Sequence, residues 1–482
     1  MKKILFAASE AVPFMKTGGL ADVTGSLPKY FDKKNYDVRV ILPKYVCMEE
    51  RWKGQLHFLC HFYVNLSWRK QYVGIFETTY DGITYYLVDN EFYFAGNAPY
   101  NNIYEDVEKF AFFSKAVLEA LPYLDFCPDI IHCHDWHTGL VGTFLKEDFR
   151  SDRFYKGIKV IYTIHSFQHQ GSYPPSVLRD VLGLPQNLFS MGNVAYEGRV
   201  NYMKAGIVYA DAVTTVHSEY DGCEVELAAE PGPGLDRYLW TQDLSVTGII
   251  NGIDDDTYNP LTDTYIHWHY TDTDAWAGKQ KNKEALRNRI GLKRQRRVPL
   301  MALMAPFLDE EGARLAVQVL ETLPFEDLQL VIIGTQDCRW EAAFCDIAAA
   351  HPTQVVVHSL FPQFLIHELY AAADLFLLPS RHESYELSQL IALRYGAIPI
   401  VYGEDPLKTH IQPFDKYRKE GNGLVFYHFT ASDCRYTIQR AQSYYEDARL
   451  WQRLVHNAMT SDYSWRKTAQ AYVSVYKQLL SP

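Results

Sequence analysis

Short apolar runs recur along this chain, each ended by polar or glycine-bearing residues and followed by a longer stretch of helical periodicity. In the first half the runs fall at residues 3–8, 37–42, 129–133, 159–164, 212–216 and 246–250 and read as strands buried on both faces. Amphipathic stretches at 105–121 and 200–209 read as helices between them. An antiparallel hairpin, 72–79 with 83–89, is expected around Asp81-Gly82, a residue pair suited to a tight turn. The second half repeats the theme, with strands at 299–304, 329–333, 354–358, 375–378 and 398–401 and helices at 311–323, 340–350, 363–372 and 385–394. Strands alternating with helices predict an α/β fold built on parallel sheets. The polar stretch 254–297, ending in Lys293-Arg294-Gln295-Arg296-Arg297, reads as a connection between two domains. The expected division is 1–253, 254–464 and a final amphipathic helix within 465–482.

Composition narrows this picture. A chain of 482 residues is too long for one ordinary core and fits two domains. A net charge of −11 removes any overall attraction for nucleic acid or an anionic membrane, so the basic run reads as solvated surface. Any phosphate-bearing ligand must find local positive charge. The eight cysteines show no CxxC spacing, so a zinc site is not expected and reduced thiols in a cytoplasmic protein are. The apolar run at 4–8 is too short for the core of a signal peptide and is broken by Ser9-Glu10. No run approaches membrane-spanning length.

Candidate chemistry sits where the strands end. After the first strand comes Lys16-Thr-Gly-Gly-Leu-Ala-Asp22. Gly18 and Gly19 carry no Cβ and let a ligand approach the backbone, the following helix aims free N–H groups at it, and Lys16 adds a point charge. This describes an anion site, and the alternative is a tight turn that happens to need glycine. After 129–133 comes His134-Asp135-Trp136-His137, after 159–164 comes His165-Ser166, and after 246–250 comes Asn251-Gly252-Ile253-Asp254. Open α/β sheets bind ligands at this edge. Asp135 and His165 suit hydrogen bonding to sugar hydroxyls or proton movement, Asp135 having N-capping of the next helix as its structural alternative. His137 reads as structural.

These residues carry a family resemblance. Lys16-Thr-Gly-Gly-Leu-Ala-Asp-Val, His134-Asp-Trp-His, Thr163-Ile-His165, Lys204-Ala-Gly-Ile-Val-Tyr-Ala-Asp and Asn251-Gly-Ile-Asp resemble bacterial glycogen synthases and plant starch synthases. So do Pro379-Ser-Arg-x-Glu383 and Asp462-Tyr-Ser-Trp465. The resemblance runs through nearly the whole chain in the right order. It implies the GT-B fold, two Rossmann-like domains facing across a cleft, with the last helix returning to the first. It also implies retaining transfer of glucose from ADP-glucose to the non-reducing end of an α-1,4-glucan such as glycogen, with ADP-glucose as substrate and neither cofactor nor metal. Residue by residue, it places Lys16, Gly18, Gly19, Asn251 and Arg381 on the donor, Asp135 on the acceptor side and His165 near the transferred sugar. It places Glu383 by the donor glucose, where a carboxylate supports oxocarbenium-like charge while cations meet the leaving phosphate.

The departures from the family pattern concentrate in the second domain. Where the family has an arginine and, five residues on, a lysine that clamp the diphosphate, this chain has Pro306 and Glu311. The family's Glu-Pro-x-Gly-Leu is Glu383-Ser-Tyr-Glu386-Leu, and its later Thr-Gly-Gly-Leu is Glu404-Asp405-Pro406-Leu407. Ser166 stands where asparagine is usual. Two readings follow: a synthase with weakened, lost or altered donor use, or a non-catalytic glucan-binding paralogue with a regulatory role.

Overall fold

The computed structural model describes the chain except residues 101–102, 168, 217–233, 236–237, 240–245, 296, 306–307, 309, 336–338, 361, 381–385, 404–409 and 482. In chain order the strands are β1 (Lys2–Ala7), β2 (Tyr36–Pro43), β3 (His57–Leu66), β4 (Arg69–Tyr80), β5 (Ile83–Asp89), β6 (Ile130–His134), β7 (Lys159–Ile164), β8 (Ser172–Tyr173), β9 (Ala195–Tyr196), β10 (Arg199–Asn201), β11 (Ala212–Thr215) and β12 (Val246–Gly248). There follow β13 (Leu300–Met304), β14 (Gln329–Ile333), β15 (Val355–His358), β16 (Leu375–Leu378), β17 (Ile398–Tyr402) and β18 (Leu424–Phe426). The chain separates into two compact units: residues 1–227, 231–251 and 465–482 form the first, and 228–230 with 252–464 the second.

The first unit is built on a nine-stranded sheet in the order β12-β11-β7-β6-β1-β2-β5-β4-β3. It is parallel from β12 through β5, and β3 and β4 are added antiparallel at one edge. β1 and β6 are buried almost throughout, as strands covered on both faces of a parallel sheet should be, β6 burying His132 and His134 along with its apolar residues. Asp81 and Gly82 both take positive φ, 51° and 71°, the conformation a two-residue hairpin turn requires. Strand order reverses about β1, with β2 on one side and β6 on the other, so the ligand-binding crevice of this topology lies at the carboxyl ends of β1 and β6. The C-terminal helix, Trp465–Leu480, packs on this unit: Tyr476 stacks on Phe31 with centroids 5.6 Å apart, and Thr468 Oγ1 donates to the Ile250 carbonyl at 2.9 Å.

The second unit holds a six-stranded, all-parallel sheet in the order β15-β14-β13-β16-β17-β18. Helices Glu310–Leu320, Glu341–Ala350, Gln363–Ala372 and Glu386–Arg394 lie between its strands.

Three readings from the sequence change. The stretch 254–297 is not a bare connection, because Ala275–Ile290 is a helix whose Lys279, Asn282, Lys283 and Arg287 are buried. The helix expected at 200–209 begins at Tyr202, since 199–201 form β10 of a small three-stranded sheet with β8 and β9. β3 has no counterpart among the expected strands: its mixed run of histidine, aromatic and asparagine residues hides an edge strand with one buried face.

Candidate functional site

β1 delivers Ser9 and Glu10 to the carboxyl edge, and both are buried. The Glu10 carboxylate accepts the Thr17 N–H at 2.6 Å and the Thr17 hydroxyl at 2.8 Å, and its carbonyl accepts from Thr24 Oγ1 at 2.6 Å. One carboxylate thereby fixes the loop that carries Lys16, Gly18 and Gly19. Burial raises the Glu10 pKa above the ordinary carboxyl value, against the opposing pull of the Thr17 hydrogen bonds. Lys16 Nζ donates to both Asp22 oxygens at 2.7 Å, so its charge is held beside the first turn of helix Gly19–Ser26 and stays half exposed.

The glycine pair distinguishes the two readings of this loop. Gly18 is extended, φ −151°, and neither glycine takes the left-handed backbone that favours the residue. A Cβ on Gly19 would meet no protein atom within 4 Å, and one on Gly18 would meet only Glu10 Oε1 at 4.0 Å. A tight turn explains neither glycine. Gly139 and Gly206 behave in the opposite way: a Cβ at Gly139 would lie 2.1 Å from the Tyr202 carbonyl oxygen, and one at Gly206 2.6 Å from the Tyr162 ring. Those two serve packing, and Gly18 and Gly19 leave the space before a helix N-terminus open.

Beside this loop stands Asp135, at the end of β6. Its φ of 55° with ψ of 179° is backbone that glycine takes readily and aspartate rarely, a strained setting typical of functional positions. Its side chain makes no cap on the following turn, so the N-cap reading falls. Instead Oδ1 accepts the His165 backbone N–H at 2.8 Å. Burial lifts its pKa from 3.8 to about 7, although N–H donors from His165 and Ser166 pull the other way. His165, at the end of β7, places Nε2 3.0 Å from His134 Nδ1. His137 is buried, stacked 4.8 Å from Tyr100 and edge-on 4.6 Å from Phe110, and burial holds it well below the usual histidine range. Asn251, past β12, has a buried Oδ1 with no hydrogen-bond partner among the described residues.

Sequence reasoning missed Glu10 and Tyr100. The Tyr100 hydroxyl lies 2.8 Å from Ser9 Oγ while its ring stacks on His137, tying the glycine loop to the turn after β6. The available signal was the polar pair Ser9-Glu10 closing an apolar strand, which was read only as the break in that run and is buried.

In the second unit, helix Glu310–Leu320 opens with two carboxylates just beyond β13. Glu310 pairs with Arg339 at 2.5 Å, and Glu311 lies 3.9 Å from the Arg314 guanidinium. Acidic side chains thus occupy the positive end of a helix dipole, where an anionic ligand would bind. Pro306, Arg381, Glu383, Asp405 and Pro406 lie outside the described residues, and Glu386 is described only as the first residue of helix Glu386–Arg394. Among the described residues no helix is long and apolar enough to cross a membrane.

Similarity to known proteins runs along the whole chain. Residues 3–239 match the starch synthase catalytic domain family, and 283–442 match glycosyl transferases group 1. The chain is 44% identical over 480 residues to a glycogen synthase of Lachnoclostridium phytofermentans, covering 99% of this chain and all of that one. A glycogen synthase of Geobacillus stearothermophilus is 43% identical over 478 residues, covering 99% and 98%. Among solved structures, the catalytic domain of Starch Synthase IV from Arabidopsis thaliana, bound to ADP and acarbose, superposes with a TM-score of 0.87 at 29% identity, covering 100% and 99%. A sucrose-phosphate synthase from Thermosynechococcus elongatus shares the fold, with a TM-score of 0.60 at 15% identity.

Proposed function

The chain belongs to the glycogen synthase and starch synthase family, a glycosyltransferase family of GT-B fold, and from that premise we propose that it binds α-1,4-glucan through its first unit while transferring glucose from ADP-glucose only weakly. The observation that carries this reading is the acidic opening of helix Glu310–Leu320, with Glu311 and Pro306 at the positions of the family's two donor-clamping cations.

In a retaining transfer the bond from the anomeric carbon to the diphosphate breaks as positive charge grows on the sugar and negative charge on the leaving phosphate. The first unit keeps Lys16 and the open glycine pair for the phosphate side, with Asp135 and His165 placed to hold sugar hydroxyls. The two second-unit cations that the family resemblance implies are replaced in this sequence by Pro306 and Glu311. Losing one partner of a formed charge pair costs about 2–5 kcal/mol. Two losses lower transition-state stabilisation by roughly 10³-fold or more, at about 1.4 kcal/mol per decade. A carboxylate near phosphate adds repulsion of about 4 kcal/mol at 4 Å for an effective dielectric of 20. No metal enters this reading, ADP-glucose is the substrate rather than a cofactor, and the cytoplasm, where nucleotide sugars are kept, is its place of action.

A second reading, a synthase using another sugar donor, keeps the same first-unit loop and differs in the group met by the acidic opening of helix Glu310–Leu320, which suits a donor less anionic there than a diphosphate. The decisive experiment incubates the protein with labelled ADP-glucose and glycogen beside a Pro306→Arg, Glu311→Lys double variant. Glycogen retention with scant incorporation, raised in the double variant, is the expected result. Robust incorporation by the unchanged protein, abolished by Lys16→Ala, overturns the proposal. Incorporation from a different nucleotide sugar establishes the second reading.

A further inference from the structure

β6 and β7 run parallel with His134 opposite Thr163, and alternation along β6 puts His132 and His134 on the same face. Their rings stack, centroids 4.3 Å apart and planes 26° from parallel, against Phe6 at 4.7 Å and 5.1 Å. Both are fully buried. Burial keeps both neutral, His132 pushed down to about 3 and His134 well below the usual range. A neutral imidazole carries one N–H and one bare nitrogen.

That rule leaves two arrangements for the 3.0 Å contact between His134 Nδ1 and His165 Nε2. In the first, His165 Nε2–H donates, and the proton of His134 must then sit on Nε2. His134 Nε2 is buried with no partner among the described residues, so this arrangement strands an N–H in an apolar setting. In the second, His134 Nδ1–H donates to His165 Nε2, and only a lone pair is left bare. Orphaned buried donors are the rarer case, and each unmade bond costs about 1–3 kcal/mol. The second arrangement is favoured.

We propose that His134 is a positioning residue that holds His165 as its Nδ1–H tautomer, with His165 Nε2 as the acceptor. Asp135 completes the hold by accepting the His165 backbone N–H, so consecutive residues of one turn fix both the main chain and the ring of His165. The consequence is chemical. In this tautomer neutral His165 carries its proton on Nδ1 and turns its only lone pair toward His134, so its ring can donate but keeps no lone pair to take up a proton. That a sugar hydroxyl lies near His165 rests on the function proposed above; the tautomer does not.

The test uses the full chain labelled with ¹⁵N-histidine, at a pH above the imidazole range, with long-range proton–nitrogen spectra. His165 is assigned by the signals lost in His165→Gln. The expected spectrum shows a protonated Nδ1 and a bare Nε2. His134→Asn, whose amide nitrogen lies where Nδ1 lay, retains that pattern. His134→Leu, with no donor, moves the proton to Nε2, the form unconstrained imidazoles favour. A wild-type His165 carrying its proton on Nε2, or an unmoved proton in His134→Leu, overturns the proposal. Should His134→Leu fail to fold, the wild-type and His134→Asn spectra decide alone. A protein that retains neither glucan nor donor overturns the functional reading and leaves the tautomer result standing.

Discussion

At the scale of single residues, the site differs from the packing around it in what each side chain or missing side chain is for. Gly19 has no internal reason to be glycine: its backbone is helical and a methyl group there would meet nothing. Gly19→Ala is therefore expected to unfold at the same temperature or higher, because alanine favours a helix by about 1 kcal/mol over glycine. Calorimetry that finds a marked loss of stability returns the loop to a purely structural role. Asp135 carries a second prediction. Its carboxyl titrates near 3.8 when unfolded and about 7 when folded, so between those values the folded chain holds the extra proton. The stability this confers is complete below pH 3.8 and is lost as pH rises to about 7. Asp135→Asn keeps an acceptor for the His165 N–H and matches aspartate in size, so it leaves the backbone demand of the position unchanged while removing the titrating group. Denaturant titrations across that window should show a decline in the wild type that Asp135→Asn lacks; parallel curves refute the assignment.

At the scale of elements, legibility followed burial chemistry. β1, β13 and β16 carry continuous apolar runs, and β6 and β7 were readable from Ile130-Ile131 and Val160-Ile161-Tyr162 although they also bury His132, His134 and Thr163, so both sheets were legible and the polar residues closing those strands marked the first-unit edge. Helix Ala275–Ile290 was not. Its buried positions, 275, 278, 279, 282, 283, 286 and 287, have helical spacing, but they are Ala, Gly, Lys, Asn, Lys, Leu and Arg. A search for hydrophobic periodicity is blind to a face whose burial is satisfied by hydrogen bonds. Lys279 Nζ donates to the Tyr370, Ala371 and Tyr395 carbonyls at 2.8–3.2 Å, where two helices end, and Lys283 pairs with Asp374 at 2.5 Å. Asp374 in turn accepts the Leu300 N–H at the head of β13. Lys283→Met would leave that carboxylate buried without its cation, at a cost of about 3–5 kcal/mol. Exposed Lys281, two residues earlier, should tolerate methionine to within about 0.5 kcal/mol. Urea unfolding separates the pair, and equal effects would mean the buried ion pair contributes nothing specific.

At the scale of the molecule, the chain leaves its first unit after Asn251 and returns to it at Trp465, so the last helix packs with strands begun at residue 2. The return is anchored where the site's own strands lie. His132 on β6 meets the Tyr476 hydroxyl at 2.9 Å through Nδ1 and Thr163 Oγ1 on β7 at 2.6 Å through Nε2. Trp465, Tyr472 and Tyr476 are essentially fully buried. Removing one large buried aromatic costs about 3–5 kcal/mol, and a domain's whole stability is about 5–15 kcal/mol, so loss of all three takes away most or all of what holds the first unit folded. The second unit has its own six-stranded sheet and its own buried core. Deleting 465–482 is thus expected to erase hydrogen-exchange protection in β1, β6 and β7 while β13, β14 and β16 stay protected. Glycogen retention should disappear with the first group, because the proposed acceptor residues stand at the ends of those strands. Uniform loss of protection in both units would show that they fold as one cooperative body, and unchanged protection in β6 would show that the final helix is an accessory to the sheet.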